Sequence, residues 1–90
     1  MQQLETRPAK LRENRIEQLT LFALGELNRV GLPTALSSFV SCVKRESHRK
    51  FRTTWSTAED YADVAAREAL RKYAIEFPAK KHIVEALIKW

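Results

Sequence analysis

Apolar residues recur along this chain at intervals of three and four, and the stretches in which they do so are divided by proline, glycine and hydroxyl residues. Between Pro8 and Val30, the residues Ile16, Leu19, Ala23, Leu27 and Val30 fall on one side of a 3.6-residue repeat, and Phe22 and Leu24 widen the stripe. That spacing predicts a first helix over about 8–30, with Pro8 at its first position and Gly31 followed by Pro33 as its stop. Gly25 inside it either weakens the helix by roughly 1 kcal/mol relative to Ala or permits a close approach. Residues 1–7 precede the pattern and are expected to form a disordered lead-in to a single helical domain over 8–90.

A second stripe, Leu36, Phe39, Val40 and Val43, predicts a helix that begins near Thr34. Lys44 to Arg52 holds no Gly or Pro, and Phe51 falls on the same side as Val43, so the helix is expected to continue to about Arg52. Thr53 to Ser56 reads as a turn, with Ser56 and Glu59 as a capping box for a third helix over about 57–74. The inward face of that helix is rich in alanine, with Tyr61, Leu70 and Tyr73. Pro78 opens a short fourth helix over about 79–90, carrying Ile83, Val84, Leu87 and Trp90. The alternative for this last segment is a short strand, in a winged-helix-like arrangement. The expected fold is therefore a compact all-α domain of four helices. The scarcity of glycine, two residues in 90, agrees with that expectation.

Size and charge narrow the function. A chain of 90 residues buries only about 60–65% of the surface that its unfolded form exposes, which suits a binding module better than an enzyme with a deep pocket. The net charge is +5, enough for weak attraction to polyanions, yet the two halves carry similar excesses. The exception is local. From Lys44 to Trp55 five cations stand against one carboxylate, with His48 among them and Phe51 and Trp55 close by. On a continuous helix Arg45, Arg49 and Arg52 share one face, opposite Phe51, and a row of guanidinium forks can follow a strand of phosphates bidentately. Lys44 and Lys50 flank the row, His48 can add a hydrogen bond, and Trp55 either stacks on a base or caps the core. Phe51 is assigned to the core.

Lys80 and Lys81, with His82, form a second basic patch at the start of the fourth helix, where phosphate is also favoured. Lys10, Arg12 and Arg15 extend the basic surface, diluted by Glu13 and Glu17. The second and third helices resemble a helix-turn-helix in outline only. Glu59, Asp60 and Asp63 stand where that motif meets phosphates, and no Asn or Gln is placed to read adenine.

Nothing here has the spacing of a metal site, a glycine-rich phosphate loop or a nucleophile elbow, so no cofactor, metal, catalysis or small-molecule substrate is expected. Cys42 is read as a buried, inert thiol. A lone cysteine suits a reducing compartment, and neither a membrane span nor a leader peptide is expected, which points to a cytoplasmic or otherwise intracellular protein. The expected function is nucleic-acid binding through phosphates, DNA ahead of RNA, as a transcriptional regulator or architectural subunit. The alternative is a helical adaptor whose basic ridge docks on an acidic protein. The broad apolar girth of the first helix adds a homodimer to the expected partners.

Overall fold

Helices occupy nearly all of the chain in the computed structural model, which describes the backbone of residues 2–89 and the side chains of residues 10–89. Helix α1 spans Gln2–Val30, α2 Leu36–Phe51, α3 Trp55–Glu76 and α4 Lys81–Ile88, the last entered through a 3-10 turn at Pro78–Lys80. No strand occurs among the described residues, so the winged-helix alternative is set aside. Trp90, expected among the apolar residues of the last helix, lies outside the described residues.

The helix interiors follow the apolar spacing, while several ends do not. Helix α1 begins at Gln2, six residues ahead of Pro8. It stops where expected: Gly31 takes a φ of 98°, which L side chains rarely adopt, and its N–H bonds the Leu27 carbonyl at 2.9 Å. Gly25 is exposed, with open space around its Cα, so it weakens α1 and serves no close approach. Helix α2 begins at Leu36 and ends at Phe51, one residue short of Arg52.

Helix α3 is the axis of the bundle. Ala58, Ala62, Ala65, Ala66 and Ala69 are all fully buried, and these small side chains let α1 and α2 approach from two sides. The bulk comes from the neighbours, with Leu19 and Leu27 on α1 and Leu36, Phe39 and Val43 on α2. Burying a Leu side chain is worth roughly 1.5–3 kcal/mol, so these contacts, rather than helix propensity, hold the bundle. Arg12 of α1 meets Asp60 of α3, and Leu24 lies across a groove from Glu68 and Lys72, so α1 and α3 run parallel. Lys44 meets Glu59 while Leu36 lies level with Arg67, so α2 runs antiparallel to α3. Helix α4 folds back on the far end of α3 through Val84 and Leu87. Arg67 fastens it there, donating from Nη1 to the Ile88 carbonyl at 3.0 Å.

Candidate nucleic-acid interface

One end of the bundle gathers the C-terminus of α2, the N-terminus of α3 and the flank of α1. The last turn of α2 carries His48, Arg49 and Lys50, where cations are stabilised by the negative pole of the helix dipole. Arg52 then leaves the helix. Its φ of 53° and ψ of 39° are left-handed, and its N–H closes the helix on the His48 carbonyl at 2.9 Å. This conformation costs a non-glycine residue about 1–2 kcal/mol. The expected three-arginine ridge is thus corrected. Arg45 and Arg49, both exposed, share a helical face, while Arg52, also exposed, stands at the left-handed C-cap beyond it.

Across the turn, Thr54 caps α3: its Oγ1 accepts from the Thr57 N–H at 3.2 Å. The Ser56–Glu59 capping box is not formed, because α3 starts two residues earlier than its expected beginning at 57, with Trp55 as its first residue. Glu59 is turned instead to Lys44, 3.3 Å away.

Trp55 does not cap the core. It remains 52% exposed and lies against the flank of α2 that carries Lys44 and His48. Its ring stacks on His48, with centroids 3.8 Å apart and planes within 4°, and the Lys44 ammonium is 5.6 Å from its centroid. Lys44 and His48 are one turn apart on the same side of α2, so the indole is held against that side of the helix.

Arg49 is bound to its own helix, donating from Nε and Nη2 to the two Glu46 carboxylate oxygens at 3.1 and 2.9 Å. Those hydrogen bonds, and then the charge of Glu46, hold the guanidinium pKa above its ordinary value, so Arg49 stays charged. Phe51, assigned to the core by its phase, is half-buried at the core margin and meets Tyr61 edge-on with centroids 6.3 Å apart. Two cations attend the Phe51 ring: the Arg15 guanidinium at 5.0 Å and the Lys50 ammonium at 6.0 Å.

Arg15 is the member that sequence reasoning placed at the margin. It precedes Phe51 by 36 positions, and only the parallel packing of α1 on α3 brings it to this end. Its neighbour Arg12 is held by Asp60 at 3.1 Å. Two of the carboxylates at the start of α3 that opposed a phosphate strand, Glu59 and Asp60, are therefore each engaged by a cation. The antiparallel α2–α3 hairpin also differs from the steep crossing of a helix-turn-helix, and α3 packs its alanine face against both α1 and α2.

Lys80 and Lys81 stand apart. Both are exposed, at the other end of the 22-residue α3, about 33 Å from Trp55 by helix length. Lys81 borders an apolar groove with Arg71 and Lys89 and does not join the ridge.

Cys42 is half-buried, and no group of three His, Cys, Asp or Glu that could hold a metal occurs among the described residues. No helix among them is long and apolar enough to cross a membrane. No protein-family model, curated protein or solved structure matches the chain, so the chemistry of this end is read from its own residues.

Proposed function

We propose that this protein is a non-enzymatic nucleic-acid-binding module, with DNA expected ahead of RNA, that grips phosphates at the α2–α3 corner and serves a regulatory or architectural role. The observation that carries the proposal is the gathering, at one end of the bundle, of Arg45, Arg49 and Arg52 with Arg15 and Lys50 at the Phe51 ring, on the same end as a half-exposed Trp55. Guanidinium groups at a helix terminus and turn reach phosphates from several directions, whereas the exposed positions at the start of α3 include Glu59 and Asp60 and hold no Asn or Gln. Contact with the backbone rather than base-edge readout follows.

The test is fluorescence-anisotropy titration against random duplex DNA, single-stranded DNA and RNA, from about 50 to about 200 mM salt. Four or five phosphate contacts to duplex give a log–log salt slope of about −4. Replacing Arg49 and Arg52 together by Glu should reduce that slope by about 2 and weaken binding more than tenfold. Unchanged affinity in a folded double variant would sink the proposed interface.

The adaptor reading has its own support. Leu21 is 65% exposed beside Leu24 and Val64 on an open groove between α1 and α3, an apolar strip suited to a protein partner or a second copy. A sedimentation series over concentration tests the homodimer, and competition between polyanions and a folded acidic protein tests whether the basic end prefers a protein surface.

A further inference from the structure

We infer that the α2–α3 corner is built for an unpaired strand, and that the outward face of Trp55 receives a base while the surrounding cations hold the flanking phosphates. The inference rests on the phosphate-binding reading above and deepens it. Trp55 is the first residue of α3, fixed in direction by the Thr54 cap and in tilt by the parallel stack on His48. A ring stacked on one side and still 52% exposed keeps a fixed orientation with much of its surface open to solvent. Arg52 lies three residues earlier, at most about 11 Å along the chain, so a phosphate next to a stacked base is within reach of its guanidinium. The Lys44 ammonium, 5.6 Å from the indole centroid, is shared with Glu59 and would have to leave that carboxylate to meet a phosphate.

A duplex makes poor use of this arrangement. Its bases are stacked on one another and offer groove edges and phosphates, not open faces. An unpaired strand offers a π-face at every nucleotide, and stacking on an aromatic side chain tolerates any base. The Arg52 backbone fits the same picture: its left-handed φ of 53° ends α2 three residues before Trp55 opens α3.

The probes are an oligo-dT and an oligo-U of about eight nucleotides, a hairpin duplex of matched phosphate number, and an abasic strand of the same length. Trp90→Phe leaves Trp55 as the single indole, since the chain holds two tryptophans. The expected result is tighter binding of the base-bearing strands than of the abasic strand or the hairpin, with quenching of Trp55 emission. Trp55→Ala should weaken the base-bearing strands about tenfold and leave the abasic strand and the hairpin unchanged. Trp55→Phe should restore most of the loss, which separates stacking from a folding defect. Equal affinity for all four probes, insensitive to Trp55→Ala yet abolished by Arg49→Glu with Arg52→Glu, overturns this inference and leaves the phosphate reading standing. Binding to none of them at about 50 mM salt overturns both.

Discussion

At the scale of single residues, three side chains carry strain, competition or an unmet hydrogen bond, and each yields a prediction. Arg52 occupies a left-handed position that glycine fills without penalty. Arg52→Gly should raise stability by about 1 kcal/mol in urea unfolding while weakening nucleic-acid binding, and the opposed signs separate a functional arginine from a merely tolerated one. Glu46 competes with phosphate for Arg49 through two hydrogen bonds. Glu46→Gln removes the competing charge, so affinity at about 50 mM salt should rise roughly threefold, read in the same anisotropy titration. Ser47 is completely buried on the inner side of α2, and its Oγ has no hydrogen-bond partner. A buried, unpaired hydroxyl costs about 1–3 kcal/mol, and alanine is the better helix former. Ser47→Ala should therefore raise the melting temperature by about 4–8 °C without touching binding.

At the scale of elements, the interiors of the helices were legible in sequence and their ends were not. Leu36, Phe39 and Val43 recur at a spacing that only one period explains, and all three are buried. An end is a contest among neighbours: Thr53, Thr54, Ser56 and Thr57 all carry hydroxyls able to cap, and the sequence has no means to rank them. The ranking comes from Trp55, which belongs to the first turn of α3 because its ring can then lie on His48. Thr54→Ala should thus cost about 1 kcal/mol, whereas Ser56→Ala should change stability by less than about 0.5 kcal/mol, both read from urea midpoints. Two further parts of the site arise from tertiary packing. Arg15 reaches Phe51 only because α1 lies parallel to α3, and Glu59 is neutralised only because α2 returns antiparallel. Local pattern supplied Arg45 and Arg49 of the expected row, with Lys44 and His48 beside it. It could not supply the departure of Arg52 from that row, which depends on where the helix stops.

At the scale of the whole molecule, the net charge of +5 conceals a separation. The bundle measures 47 × 24 × 23 Å, with Arg49 and Arg52 near one end of α3 and Lys80 and Lys81 near the other. The helix length of about 33 Å between them is some three Debye lengths at 0.1 M salt, so each patch acts on a bound phosphate almost independently of the other. A duplex would need about 10 base pairs, one helical turn of about 34 Å, to touch both. For oligonucleotides shorter than that, reversing Lys80 and Lys81 to Glu should alter affinity less than twofold. Reversing Arg49 and Arg52, an identical change in net charge, should cost more than tenfold. The comparison holds total charge constant and varies only its place, so anisotropy titration of the two double variants against one short probe distinguishes a localised interface from diffuse attraction. Equal losses would mean that the protein binds as a uniformly basic body and that the corner between α2 and α3 has no special part in it.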